Sequence, residues 1–144
     1  MPNSKRVLII DDERAIVRGM ALRLQMAGYE TIRAYDGQQG LTAAIAERPD
    51  AIILDICMPN VDGLATLAAL RAREETKRIP VVMASGNSAD QQVAMSAGAC
   101  LFLTKPYEGK ALVAAMEAAV RDAPCHRANQ KQPLGAKFSS RGWC

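Results

Sequence analysis

Residues 7–13 read Val7-Leu8-Ile9-Ile10-Asp11-Asp12-Glu13, four apolar positions followed by three acidic ones. The apolar run has the length of a strand, and its apolar residues are successive rather than alternating. This pattern is typical of a parallel sheet that helices cover on both faces. Similar runs recur at 51–54, 81–84 and 100–103, with a weaker one at 31–34.

The segments between these runs repeat apolar residues every three to four positions, which predicts helices with one buried stripe each. Gly28, Pro49 and Gly98 stand where three of the periodic stretches stop. The order strand, helix, repeated five times, predicts an α/β fold with a doubly wound five-stranded parallel sheet. The predicted stripes are Ile16, Met20, Leu24 and Ala27; Leu41, Ala44 and Ile45; Leu64, Leu67 and Leu70; and Leu112, Met116 and Val120.

The composition divides the 144 residues into one domain at 5–122 and a flexible basic tail at 123–144. Four of the cations lie in the tail, and without them 14 basic residues face 15 acidic ones. A nearly neutral domain argues against direct nucleic-acid binding, which requires clustered cations.

Neither a signal peptide nor a membrane span is recognisable in the sequence, so we expect a cytoplasmic protein without membrane contact. The four cysteines, Cys57, Cys100, Cys125 and Cys144, show no CxxC spacing. In a reducing compartment they are expected to be free thiols, with no structural zinc site.

Polar residues follow four of the predicted strands, namely Asp11 and Asp12, Asp55, Ser85 and Lys105. The carboxyl ends of parallel strands lie at one edge of the sheet, so these side chains are expected to converge. Three converging carboxylates repel one another unless they share a cation, and magnesium prefers such oxygen ligands. The sequence therefore predicts a magnesium site.

A carboxylate oxygen of Asp55 could attack a phosphoryl group held there and form an acyl phosphate. Lys105 would neutralise phosphoryl charge, and the Ser85 hydroxyl would donate a hydrogen bond to a phosphoryl oxygen. Each residue also has a simpler interpretation. Asp12 could be only a helix N-cap, Lys105 a solvated charge, and Ser85 a turn residue.

With these residues in place, residues 5–122 resemble the response-regulator receiver family, which has a flavodoxin-like (βα)5 fold. The resemblance is carried by 7–13, by Asp55-Ile56-Cys57-Met58-Pro59-Asn60-Val61-Asp62-Gly63, by Pro80-Val81-Val82-Met83-Ala84-Ser85-Gly86, by Gly98-Ala99, and by Phe102-Leu103-Thr104-Lys105-Pro106.

The resemblance implies that Asp55 accepts a phosphoryl group from a phosphohistidine of a sensor histidine kinase or a phosphotransfer protein. It implies magnesium ligands in Asp11 or Asp12, Asp55 and the backbone carbonyl of Cys57, and a cis peptide before Pro106. The protein would then be a signalling receiver that catalyses only its own phosphorylation and dephosphorylation.

Ser85 and Phe102 would act as switch residues. They would alter the surface formed by the fourth helix, fifth strand and fifth helix, which a downstream protein reads. Dimerisation on phosphorylation is left open.

Two positions depart from what is common in the family, Cys57 and Asn87, and both are expected to border the attacking water. A thiol positions that water poorly, so we expect autodephosphorylation about an order of magnitude slower than in a Cys57→Asn variant. Cys57 could alternatively be a redox sensor, although nearby carboxylates would raise its pKa.

Other functions remain open. A stand-alone phosphorelay receiver is preferred over a receiver module of a longer hybrid kinase or DNA-binding regulator. A magnesium-dependent aspartyl-phosphate phosphohydrolase would need a second acid two residues after Asp55, where Cys57 stands. A flavin carrier would need glycines and hydroxyls where Asp11 and Asp12 occur.

Overall fold

Strands and helices alternate strictly in the computed structural model, which describes residues 5–56 and 62–121. The predicted tail and the 57–61 segment lie outside the described residues. The elements are β1 (Arg6–Ile10), α1 (Arg14–Met26), β2 (Glu30–Ala34), α2 (Gly37–Glu47), β3 (Ala51–Asp55), α3 (Gly63–Arg71), β4 (Val81–Ser85), α4 (Asp90–Ser96), β5 (Leu101–Thr104) and α5 (Gly109–Arg121).

The five strands form one parallel sheet in the order β2-β1-β3-β4-β5. This confirms the predicted doubly wound α/β fold. In the register of the sheet, Ile10 pairs with Leu54 and Ser85 pairs with Thr104. The strands therefore end level with one another, and the residues at or just after their ends share one edge. Asp55 and Ser85 are themselves the last residues of β3 and β4.

Two hydrophobic cores cover the two faces of the sheet. Leu8 and Ile10 of β1 belong to one core, and Val7 and Ile9 belong to the other. Because successive residues of a strand point to opposite faces, a strand buried on both faces must be apolar at every position. This explains the unbroken apolar run from Val7 to Ile10.

The predicted stripe of α1 is wrong at both of its ends. The buried residues of the helix are Val17, Met20, Ala21 and Leu24, whereas Ile16 is 40% exposed and Ala27 lies beyond the helix as its C-cap. Ile16 and Val17 are adjacent apolar residues, and only the packing against the sheet decides which of them is buried. In α3 and α5 the predicted residues are buried or half-buried.

In α2, only Ala44 of the predicted stripe is fully buried, beside Gly37 and Gly40. A Cβ at Gly40 would lie 2.5 Å from Cδ1 of Ile10, so this helix needs a glycine to approach the sheet.

The predicted stop signals are confirmed. Gly28 and Gly98 follow α1 and α4 with φ of +100° and +112°, in the left-handed region that glycine adopts readily. Pro49 follows the C-cap of α2, which is Arg48.

The expectation that the cysteines are free thiols is wrong for Cys100, which is disulfide-bonded. Cysteine spacing along the chain does not show which thiols the fold brings together. Within the described residues, no helix is long and apolar enough to cross a membrane.

Candidate functional site

Three carboxylates gather at the carboxyl edge of the sheet. Asp11 directly follows β1 and is 1% exposed, Asp55 ends β3 and is 6% exposed, and Asp12 is more accessible to solvent. One oxygen from each of them lies within 4.8 Å of the others. This confirms the predicted convergence, and it concentrates negative charge in a partly buried cleft.

Lys105 supplies a positive charge to this cleft. Its Nζ lies 3.2 Å from Oδ2 of Asp11 and 3.2 Å from Oδ1 of Asp55. Burial by itself would lower the pKa of Lys105, but the two carboxylates outweigh burial and raise that pKa above its usual value. Lys105 is therefore not merely a solvated charge.

The backbone around Lys105 fixes its position. Its amide donates a hydrogen bond to the Ser85 carbonyl at 2.7 Å, which extends the pairing of β4 and β5 by one residue. The Lys105-Pro106 peptide is cis, as the resemblance implied.

Asp12 does not cap the first helix. The N-cap of α1 is Glu13, which makes no capping hydrogen bond with its side chain. The Glu13 amide instead donates to Oδ1 of Asp11 at 3.1 Å. The capping interpretation of Asp12 is thus wrong, and its carboxylate remains beside Asp11 and Asp55.

Ser85 is 1% exposed and lies at the end of the strand next to Asp55. Its Oγ donates a hydrogen bond to Oδ2 of Asp90 at 2.6 Å and accepts one from the Asn87 amide at 3.1 Å. Asn87 is exposed, and its Oδ1 accepts a hydrogen bond from the Ala89 amide at 3.0 Å. Sequence reasoning did not find Asp90.

Gly63 packs closely against the backbone of Asp55 and Ile56 at the end of β3. Its amide donates to the Ile56 carbonyl at 2.8 Å, and a Cβ added to it would lie 2.2 Å from the Asp55 carbonyl oxygen. Asp62 caps α3 by accepting a hydrogen bond from the Ala65 amide. The predicted metal ligand and water-positioning residue Cys57 lies outside the described residues.

Phe102, the other predicted switch residue, lies in β5 and is half-buried. It packs against the core that contains Leu8 and Ile10. Ser85 and Phe102 thus lie on neighbouring strands, with Phe102 paired to Met83 of β4.

A groove opens beside the cleft between α1 and α5. It has a volume of about 610 Å³, and Lys105 forms part of its wall. Its other lining residues are mostly apolar or small and include Ile16, Gly19, Met20, Tyr107 and Leu112. The pKa of Tyr107 is raised, chiefly by burial, and its hydroxyl lies 3.1 Å from Sδ of Met20.

The arrangement suits a divalent cation held by oxygen ligands. Clustered carboxylates are the ligands that such hard cations prefer, and three of them exceed the single ammonium charge of Lys105. The residues present therefore fit a metal site that Asp11, Asp12 and Asp55 would hold.

Comparison with known proteins identifies the family. Residues 7–117 match the Response regulator receiver domain. The DNA-binding dual master transcriptional regulator RpaA of a Synechocystis species is 40% identical over 118 residues, which are 81% of this chain and 49% of that protein. The transcriptional regulatory protein PrrA of Mycobacterium tuberculosis is 37% identical over 82% of this chain and 51% of its own length. The chain thus spans about half the length of these curated relatives.

Solved structures agree with the sequence relatives. The chemotaxis response regulator CheY4 of Vibrio cholerae superposes with a TM-score of 0.76 at 31% identity, over 80% of this chain and 98% of CheY4. The receiver domain of NtrX from Brucella abortus gives a TM-score of 0.75 at 32% identity, over 81% and 98% of the two chains. The five-stranded parallel fold, the acidic cleft and these relatives lead to one conclusion: the chain belongs to the response regulator receiver domain family of two-component systems.

Proposed function

We propose that the protein is the phosphoacceptor of a two-component phosphorelay and that Asp55 is the accepting residue. A carboxylate oxygen of Asp55 attacks the phosphorus of a phosphohistidine, the phosphorus–nitrogen bond breaks, and the imidazole nitrogen takes up a proton. The observation that carries the proposal is the position of Asp55, buried at a strand end within 3.2 Å of Lys105 and beside two further carboxylates.

Mg²⁺ is the proposed cofactor. Asp11, Asp12 and Asp55 would hold it, and a contribution from the Cys57 carbonyl stays a prediction. When bound, the ion would offset the charge of the phosphoryl oxygens and orient them for in-line attack. Lys105 would donate to a phosphoryl oxygen from the side that it already occupies between Asp11 and Asp55.

The proposed output is a change of protein-binding surface rather than turnover of a substrate. Ser85 would turn its hydroxyl toward the phosphoryl group and Phe102 would move inward, shifting the surface of α4, β5 and α5 between two states. A downstream protein would read that surface. Asn87 and Cys57 would tune the lifetime of the acyl phosphate.

A sensor histidine kinase or phosphotransfer protein is the proposed donor, and a cytoplasmic location of the receiver itself stays a prediction. The groove between α1 and α5 supports such a partner, because it includes Lys105 and its mostly apolar lining could bind a helix of the donor protein next to the cleft. Ile16, which is 40% exposed, lines the groove.

The second candidate is a receiver module of a longer DNA-binding regulator. The relatives RpaA and PrrA favour it, since each has about twice the matched length. The genomic reading frame tests this candidate: a coding sequence that continues into a DNA-binding domain supports it, and a stop codon after Cys144 supports the stand-alone receiver.

The decisive experiment is intact mass after incubation with acetyl phosphate and Mg²⁺. Wild type should gain one phosphoryl group, Asp55→Asn none, and Asp36→Asn the same as wild type. Asp36 is a matched control because it caps α2 through the Gln39 amide, and asparagine caps a helix equally well. Equal uptake by wild type and Asp55→Asn would refute the assignment. Steady hydrolysis of a small phosphomonoester that needs Asp55 would instead support a phosphohydrolase.

A further inference from the structure

The hydroxyl of Ser85 is already committed in this structure. A serine hydroxyl has one proton to donate, and that of Ser85 goes to Oδ2 of Asp90 at 2.6 Å. Such a short hydrogen bond to an ionised carboxylate belongs to the stronger class. The Asn87 amide donates to the same Oγ at 3.1 Å, so the hydroxyl is held from two sides.

The connection from β4 to α4 keeps this contact in place. Asp90 is the first residue of α4, and its amide donates to the Asn87 carbonyl at 3.0 Å. The Asn87 side chain accepts from the Ala89 amide at 3.0 Å. The chain thus turns back within five residues and returns a carboxylate to the buried end of β4.

We propose that Asp90 is a latch that competes with phosphorylated Asp55 for the proton of Ser85. The inference rests on the proposed function and adds to it a positioning residue that restrains the switch. To donate to the phosphoryl group, Ser85 must give up the bond to Asp90, and the start of α4 loses the contact that ties it to β4. The latch therefore shifts the conformational equilibrium toward the state in which Ser85 is bonded to Asp90, and away from the state in which Ser85 contacts the phosphoryl group.

Beryllofluoride, a stable mimic of the phosphoryl group, tests the latch in the full chain with Mg²⁺. We expect Asp90→Ala to bind beryllofluoride about tenfold more tightly than wild type, which is the size of effect typical for a hydrogen bond to a charged group. Asp90→Asn keeps an acceptor without the charge, so its affinity should fall between the two. Amide NMR spectra report both the binding and the change at α4.

The double-mutant cycle with Ser85 separates the latch from a merely structural role. In a Ser85→Ala background the Asp90→Ala change should leave beryllofluoride affinity unaltered, because no proton remains to compete for. The latch alone would be overturned if Asp90→Ala raised beryllofluoride affinity equally in the wild-type and Ser85→Ala backgrounds, or if it did not raise that affinity in the wild-type background. Failure of the wild type to bind beryllofluoride and to take up phosphoryl from acetyl phosphate would overturn the proposed function as well.

Discussion

The ammonium group of Lys105 contacts two buried carboxylates at equal distances of 3.2 Å. One cation is shared between Asp11 and Asp55, and Asp12 adds a third acidic group nearby. The cleft consequently keeps a net negative charge that attracts a divalent cation, while Lys105 competes with that cation for the same oxygens. Lys105 and the divalent cation are expected to have different roles, and a variant without Lys105 should show which effects belong to which of them.

We expect Lys105→Met to strengthen Mg²⁺ binding several-fold and to slow phosphorylation by acetyl phosphate at least about tenfold. The first effect follows from lost repulsion between cations, and the second from lost stabilisation of the phosphoryl oxygens. Calorimetric Mg²⁺ titration and intact mass measure the two. Weaker Mg²⁺ binding in the variant would contradict this account, and Lys110→Met, an exposed lysine of α5, is the control.

Lys105 also makes the free energy of unfolding depend on pH, because its stabilising contribution is lost at high pH. The folded state raises its pKa, so its contribution is fully present below the ordinary value of 10.5 and is lost as the pH rises through the higher folded-state value. The difference in unfolding free energy between wild type and Lys105→Met should therefore stay constant from neutral pH to about pH 10.

The residues of the cleft could be predicted from the sequence because the topology brings strand ends to one edge. Asp11, Asp12, Asp55, Ser85 and Lys105 were all identified in this way. Asp90 could not be found, since the hydrogen bond that Ser85 donates to it, from the end of β4 to the start of α4, leaves no periodic pattern in the sequence. The Cys100 disulfide was missed because the spacing of cysteines along the chain does not show which thiols the fold brings together.

At the level of elements, α3 connects the cleft with the far end of the molecule. Gly63 begins the helix against the backbone of Asp55 and Ile56, and Arg71 ends it. The Arg71 guanidinium donates to the carbonyls of Lys77, Ile79 and Gly98, and it thereby joins α3 to the start of β4 and the end of α4.

We expect Gly63→Ala to lower the unfolding free energy by at least about 2 kcal/mol and to reduce phosphoryl uptake, because a Cβ would overlap the Asp55 carbonyl. Gly19→Ala is the matched control. A Cβ at Gly19, within α1, meets nothing within 4 Å, so this change should stabilise the protein by about 0.5–1 kcal/mol. Urea unfolding checks both, and equal effects would contradict the packing argument.

Arg71→Met should cost about 2–4 kcal/mol in urea unfolding, since three carbonyls lose a charged donor in a partly buried place. Burial lowers the pKa of Arg71 to about 10, so the guanidinium still carries its charge at neutral pH. Arg73→Met provides the comparison, because Arg73 is exposed and, among the described residues, forms an ion pair with Glu75 alone, at 3.5 Å; its loss should cost less than about 1 kcal/mol.

The order and type of the ten described elements could be predicted, whereas the buried stripes of α1 and α2 were predicted only in part. The three-to-four-residue spacing of apolar residues and the glycine or proline that follows it identify a helix. They do not show which of two adjacent apolar residues, such as Ile16 and Val17, is buried. The choice depends on how α1 is rotated about its own axis where it packs on the sheet, because adjacent residues of a helix point about 100° apart. In α2 the close approach at Gly40 replaces part of an apolar stripe by glycine.

For the whole molecule, the concentration of carboxylates predicts that a divalent cation stabilises the fold. With Mg²⁺ at ten times its dissociation constant, the unfolding free energy should rise by about 1.4 kcal/mol and the melting temperature by several degrees. Thermal unfolding in Mg²⁺ or in chelator, at matched ionic strength, measures this. Asp11→Asn should abolish the increase, and an equal increase with sodium alone would show that the effect is only screening.

The ion pair between Lys105 and Asp11 joins positions 94 residues apart, one directly after β1 and the other directly after the edge strand β5. A ribosome therefore makes Asp55 well before it makes the lysine that completes the cleft. An unfinished or truncated chain that lacks β5 and Lys105 should not take up a phosphoryl group, even though Asp55 is already present. If Asp55 is the acceptor, phosphoryl uptake should therefore begin only once β5 and Lys105 have joined the sheet.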